Sequence, residues 1–290
     1  MRFLSFLVGR EERYGAIIED RVVDLGERMP EYPSLRHVLD AGALVRAQDV
    51  AVSASADFDL EDITFLPTLP NPRKIVCIGI NYPDRPPRIT PGGKRSDFPS
   101  VFLRTRESLV GHRQLLQKPP ETEQLDYAGE IVLVIGREGR RIPEEKAHEH
   151  VAGLTLMNEG SARDWMRHGE FNVTQGKNFE GSGSLGPWLL TRDESPPFDD
   201  LTLTTHVNGE LRQDASTRSL RFSFAYLVRY LSTFMRLTPG DLIATGTPAG
   251  TGDEYDPPRY LQPGDEIVIN VRGIGRLSNT VSAEVVPGVE

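Results

Sequence analysis

Carboxylates and cations crowd three short stretches of this 290-residue chain. Leu125-Asp126-Tyr127-Ala128-Gly129-Glu130 runs straight into the apolar residues 131–135, Asn158-Glu159-Gly160-Ser161-Ala162-Arg163-Asp164-Trp165 follows, and Gly176-Lys177-Asn178-Phe179 closes the set. Successive side chains of a strand point to opposite faces, so Asp126, Ala128 and Glu130 are expected on one face. Carboxylates gathered without a metal or a basic partner raise their own pKa and are costly to bury, so Arg163 and Lys177 belong to any reading of the group. Fixed cations placed where negative charge develops supply a large share of catalytic stabilisation. On the residues alone, Glu130 and Glu159 either stand solvated or pair with Arg163 and Lys177.

The elements that must position these groups read as strands for the most part. Apolar runs bounded by Gly and Pro recur at 75–80, 100–103, 130–135, 152–157, 187–190, 201–207, 241–244, 266–271 and 276–286. Asn208-Gly209 is a two-residue hairpin turn, because both positions need a positive backbone angle. Helices are expected at 143–150, 161–167 and 222–235, the last with Phe222, Ala225, Tyr226, Val228 and Leu231 on its apolar face. Ahead of these, residues 2–8, 14–19 and 21–25 read as strands and 35–44 as a helix. Leu66-Pro67-Thr68-Leu69-Pro70-Asn71-Pro72 is a proline-punctuated linker, which divides the chain into a small N-terminal α/β domain, 1–70, and a β-rich domain, 71–290.

Composition excludes several classes of function. Hydrophobic residues make up 38% and charged residues 26%, ordinary for a soluble globular protein, and the net charge of -9 carries no long basic run, which argues against nucleic acid and anionic membrane as partners. The N-terminal apolar stretch is too short for a signal sequence and no run of about eighteen apolar residues exists, so a cytoplasmic location is expected. Cys77, the single cysteine, sits in an apolar run and reads as a buried thiol. Gly176-Lys177 is not a phosphate-binding P-loop, since Phe171 stands where that motif needs glycine.

The order of the phrases from Lys74 onward resembles the fumarylacetoacetate hydrolase superfamily. Besides the three stretches above, Lys74-Ile75-Val76-Cys77-Ile78-Gly79-Ile80-Asn81-Tyr82, Leu185-Gly186-Pro187-Trp188, Val207-Asn208-Gly209-Glu210, Pro239-Gly240-Asp241 and Thr245-Gly246-Thr247-Pro248-Ala249-Gly250 carry the likeness. The resemblance implies a mixed β-sandwich or roll, an α+β and β-rich fold, whose members cleave or isomerise β-diketo and enol acids. It also implies a homodimer.

In that family Mg²⁺ or Mn²⁺ sits between two glutamates of the D-Y-E-x-E strand and the aspartate of N-D-x-S-A-R-D. This chain has Ala128 in place of the first glutamate and Glu159 in place of the aspartate. The implied metal set is therefore Glu130 and Glu159, with Asp126 as a substitute ligand. Arg163, Lys177 and Glu130 are the expected catalytic residues, and Tyr82, Gly246 and Thr247 are expected at the substrate. Met166 stands where glutamine is common, and Arg85 and Arg88 occupy the places of the family's His and Glu bases. An arginine stays protonated and cannot be that base, but it can bind an anionic group through a bidentate fork. Arg85, Arg88 and Arg104 are accordingly expected to bind substrate, with Lys94, Arg95 and Arg106 completing either a solvated face or an anion funnel. His112, His168 and His206 are the only replacement bases in view.

These residues point to an enzyme acting on a small anionic 2-oxo, β-diketo or enol acid, through C–C bond hydrolysis or related enolate chemistry. The alternatives are a metal-independent isomerase, decarboxylase or cyclase, and a ligand-binding relative without catalysis.

Overall fold

Residues 131–135 are apolar without interruption because both faces of their strand are covered. In the computed structural model, which describes residues 1–85, 96–170 and 172–285, Ile131, Leu133 and Ile135 enter one apolar core and Val132 and Val134 another. The strand Gly129–Ile135 lies inside a twelve-stranded mixed sheet. Its neighbours are Val151–Asn158, paired antiparallel with Gly129 opposite Asn158, and Leu242–Ala244. Leu242–Ala244 in turn runs parallel to Ile75–Gly79, which pairs with Ser100–Arg104.

A second sheet of five strands joins Glu210–Ser216, Thr202–Val207, Glu266–Val271, Gly275–Ala283 and Leu115–Lys118. Leu203, Val207, Ile267, Ile269, Leu277 and Val281 from this sheet pack with Ile131, Leu133, Leu154 and Leu156 from the first. The helix Phe224–Phe234 closes the same core with Leu227, Val228 and Leu231. The fold is the β-rich α+β arrangement of mixed sheets expected from the sequence.

The N-terminal segment is joined to this sheet. Arg2–Val8 pairs with Gly183–Thr191, and Leu35, Val38, Leu39, Ala47 and Ala51 cover the back face over Val132, Val134 and Leu242. Around Leu66–Pro72 the covalent path crosses from one part of the sheet to another, while the hydrogen-bonded ladder is continuous.

Four local expectations need correction. The helix expected at 35–44 ends at Asp40, and a second helix, Leu44–Ser53, follows the left-handed Gly42. The helix expected at 161–167 is a short strand, Ser161–Ala162, and one 3-10 turn, Trp165–Arg167, because Ser161 and Ala162 pair with Leu125–Asp126. The 143–150 segment is likewise 3-10, Glu144–His150. On Phe224–Phe234 the deeply buried positions are Phe224, Leu227, Val228 and Leu231, while Tyr226 stacks between Phe222 and Tyr230 on a half-buried flank. The Asn208-Gly209 turn has both residues at positive φ, 51° and 78°, as its sequence requires. Among the described residues no helix is long and apolar enough to cross a membrane.

Candidate active site

The expectation that Asp126, Ala128 and Glu130 share a strand face is corrected by the chain path. Leu125–Asp126 pairs with Ser161–Ala162 in its own two-stranded ribbon, and the Gly129–Ile135 strand begins only after Tyr127 and Ala128. Two buried ion clusters result, one on each side of this break.

The first surrounds Asp126. Its Oδ1 accepts the backbone N–H groups of Tyr127 at 2.9 Å and Gly252 at 2.7 Å, and its Oδ2 accepts Arg163 Nε at 2.8 Å and the Asp253 N–H at 3.1 Å. Arg163 is buried, with Nη2 3.4 Å from Asp253, and Asp126 and Asp253 hold its pKa up against the cost of burial. Arg85 lies at the edge of this cluster, 3.9 Å from Glu254. Burial first and Arg163 second push the Arg85 pKa down.

The second cluster surrounds Glu159. Arg104 donates from Nη1 to Glu159 Oε1 at 2.6 Å and to Gly160 O at 2.7 Å, with its Nε on Ser108 Oγ at 3.1 Å. Lys177 donates to Glu159 Oε2 and to Ser161 Oγ at 2.6 Å, and its ammonium lies 5.2 Å from the centre of the Phe102 ring. Burial pushes the Lys177 pKa down, and Glu159 offsets part of the fall. Glu130 completes the group: its Oε2 accepts the Gly246 N–H at 2.8 Å. Burial, then the charge of Glu159, push its carboxyl up to about 8. Lys177 and Arg85 act electrostatically on Glu130 in the opposite direction.

The loop after Leu242–Ala244 delivers that N–H. Gly246 adopts φ 102°, and a Cβ there would meet Asn81 Cβ at 2.7 Å, so only glycine brings this backbone in. Asn81 braces the loop by donating to Thr245 O at 2.8 Å and Phe222 O at 3.1 Å. Tyr82, the next residue, is buried, and burial followed by the Glu130 and Asp84 charges raises its pKa. Thr247 is buried and its Oγ1 accepts Gln213 Nε2 at 2.8 Å.

Gln213 went unnoticed in the sequence. It accepts the Gly129 N–H at 3.0 Å through Oε1 and donates to Pro248 O at 2.9 Å as well as to Thr247. One amide from the five-stranded sheet thereby ties the residue before Glu130 to the loop that follows Leu242–Ala244. The signal available is its place just beyond the Asn208-Gly209 turn, on the returning strand of that hairpin, Glu210–Ser216.

Other expectations sort by geometry. Arg104 is not at an entrance: its side chain is 0% exposed and committed to Glu159, Gly160 and Ser108, so the expectation that it contacts substrate is replaced by a role in holding Glu159. Arg106 is exposed and pairs with Glu107, and Arg88, Lys94 and Arg95 lie outside the described residues. His112 packs on Phe65, accepts the Ser278 N–H at 3.0 Å and is pushed down to about 4 by burial. His168 is exposed beside Trp165. Cys77 is a buried thiol whose pKa burial raises. A cavity of about 430 Å³ lined by Glu11, Arg13, Asp24 and Tyr32 lies in the N-terminal part, away from both clusters.

The donor set does not fit a divalent metal. Among the described residues no three His, Cys, Asp or Glu side chains gather as ligands. Asp126 spends both oxygens on four donors, Glu159 spends both on cations, and Ala128 offers none. Hard dications need several oxygen donors.

Residues 74–282 match the model of the fumarylacetoacetate (FAA) hydrolase C-terminal family. Among solved structures, the chain is similar to a fumarylacetoacetate hydrolase from psychrophilic Exiguobacterium antarcticum, with 32% identity, TM-score 0.82 and coverage of 98% of this chain and 100% of that one. It is also similar to a maleylpyruvate hydrolase from Sphingobium sp. SYK-6 in complex with manganese(II) ion and pyruvate, with 26% identity, TM-score 0.80 and coverage of 98% and 100%. A 2-hydroxyhepta-2,4-diene-1,7-dioate isomerase from Mycobacterium marinum aligns with 26% identity, TM-score 0.75 and coverage of 98% and 99%.

Proposed function

The chain belongs to the fumarylacetoacetate (FAA) hydrolase family, and from that premise we propose that it is an enzyme of enolate chemistry on a small 2-oxo or enol carboxylic acid. The observation that carries the reading is Glu130, a buried carboxylate held by a single backbone N–H and within electrostatic reach of Lys177, Glu159 and Arg85. A base so placed takes the proton from the carbon beside a keto group. The electron pair moves to the carbonyl oxygen, where Lys177 and Arg163 stabilise the negative charge. Returning the proton to a different carbon gives isomerisation. Cleavage of the bond to a neighbouring acyl group instead requires water at that acyl carbon and releases two acids. Thr247 and the Gly246 backbone orient the substrate in this reading, and Arg85, with Arg88, meets its anionic end.

Hydrolysis of a C–C bond is the second reading, favoured by the 32% identity to a fumarylacetoacetate hydrolase over nearly the whole chain. Incubating the protein with a panel of 2-oxo and enol acids in deuterated water separates the two. Exchange of the proton beside the keto group without cleavage marks isomerisation, and release of two acids marks hydrolysis. Neither exchange nor cleavage with any member of the panel would leave only a binding protein. The homodimer belongs to the same reading, and sedimentation as a monomer would remove it.

A further inference from the structure

We propose that the Lys177 ammonium, clamped by Glu159 and backed by Arg104, stands in for a divalent metal and is itself the cation that receives the substrate's carboxylate or enolate oxygen. The inference rests on the reading of the site as one for a 2-oxo acid and says how the charge of that acid is met.

Glu159 is the centre of the argument. Each of its oxygens is bound by a cation, Oε1 by Arg104 at 2.6 Å and Oε2 by Lys177. Each Glu159 oxygen keeps a second lone pair, but a dication bound there would sit against the Arg104 and Lys177 charges already on the same carboxylate, at a large cost in a low-dielectric interior. The charge count points the same way. Arg104 and Lys177 already meet the charge of Glu159, and that of Glu130 when it is ionised, so a dication would add two uncompensated positive charges to the buried cluster. The position that lacks an oxygen cannot help: around Ala128, the N–H goes to Asn158 Oδ1 at 2.9 Å and the carbonyl accepts from Glu159 N at 2.8 Å.

Lys177 is equipped for the substitute role. An ammonium has three donors, and Glu159 and Ser161 take two of them. The Phe102 ring 5.2 Å away adds a cation–π contact that fixes the head group without consuming a donor. The third N–H remains for an anionic oxygen, and the partly hydrogen-bonded, buried ammonium loses little on receiving it.

Oxalate, which mimics the planar enolate of a 2-oxo acid, is the probe. Calorimetric titration of chelator-treated wild type with oxalate should give the same affinity with and without Mn²⁺. The electron paramagnetic resonance signal of free Mn²⁺ should be unchanged by wild type and diminished by Ala128→Glu, which restores an oxygen ligand. Lys177→Met should weaken oxalate binding by at least about tenfold, the loss of one charge-assisted hydrogen bond. The wild-type arms do not depend on whether that variant folds. Oxalate binding that requires Mn²⁺, or stoichiometric uptake of Mn²⁺ by wild type, overturns the inference and leaves the 2-oxo acid reading standing. No oxalate binding under either condition overturns the 2-oxo acid reading itself.

Discussion

Asp126 and Glu130 are four residues apart in sequence, both buried, and their oxygens are satisfied very differently. Asp126 collects four donors, three of them backbone N–H groups, and lies in a ribbon of its own with Ser161–Ala162. Glu130 receives one N–H and otherwise faces charge. A carboxylate whose lone pairs are filled fixes the backbone around it and has nothing left for a ligand. One that burial leaves under-satisfied is unstable as an anion and therefore reactive as a base. Under the proposed function, the number of donors spent on each separates scaffold from chemistry more cleanly than position along the chain.

The largest effect should come from the scaffold side. Asp126→Ala leaves the Arg163 guanidinium buried without its main partner and strips three backbone N–H groups of their acceptor. A loss of about 3–5 kcal/mol is expected, the usual cost of stranding a buried charge, read by urea unfolding. A loss below about 1 kcal/mol would mean that solvent reaches this cluster and that the contrast with Glu130 is false.

The chemistry side should behave in reverse. Glu130→Gln keeps an oxygen for the Gly246 N–H, so turnover should fall by about 10²–10⁴-fold while the fold survives. The sign of the pH effect follows from the raised pKa. Folded Glu130 keeps its proton up to about 8, whereas the unfolded chain loses it near 4.5, the ordinary value for a glutamate. The folded state thus binds more protons across that window, and this carboxyl's contribution to stability declines as pH rises through it. Wild type should lose stability relative to Glu130→Gln between those limits, measured by thermal unfolding at several pH values. Parallel curves would show that Glu130 is ionised at no cost and is as well satisfied as Asp126.

The fold was legible because apolar runs and turn residues report local rules. The Asn208-Gly209 turn and the strand Glu266–Val271 needed only those. What failed were features set by distant parts of the chain. Ser161-Ala162-Arg163 reads as the start of a helix until Leu125–Asp126 arrives to pair with it. Alternation put Asp126 beside Glu130 because nothing in the six residues from Leu125 to Glu130 announces a change of sheet. Arg104 read as a substrate-binding cation because it falls in the concentration of arginines and lysines from Arg85 to Arg106, and only Glu159, 55 residues on, draws it inside. Gln213 carried no motif of its own, and its importance lies in three partners from two other elements.

Gln213 sharpens the comparison from the scaffold that serves the reactive carboxylate. Gln213→Leu fills similar volume but leaves the Gly129 N–H without its acceptor and Thr247 without its donor. A loss of about 1–3 kcal/mol in stability is expected, the penalty for an unsatisfied buried group. Turnover should fall further than that loss of folded protein explains, because the Gly129–Ile135 strand that carries Glu130 and the loop at Thr247 are no longer held by one side chain. Rescue by Gln213→Glu is not expected, since a carboxylate cannot donate to Thr247 and Pro248. An unchanged turnover number in Gln213→Leu would confine this residue to folding.

The smallest effect belongs to Arg85, which borders both clusters. Its guanidinium is repelled by Arg163 and attracted by Glu254, Asp253 and Asp126, and the same charge acts on Glu130. If Arg85 serves the chemistry, Arg85→Ala should weaken binding of an anionic substrate by roughly fivefold, about the value of one partly screened charge, with little change in stability. Added salt should then cost wild type more affinity than the variant, because the attraction that the variant lacks is the part that screening removes. If Arg85 instead serves the Asp126 scaffold, the unfolding midpoint drops and the affinity of the folded fraction stays where it was. Measuring both quantities at low and high ionic strength assigns the residue to one cluster, since the two roles predict opposite pairs of results.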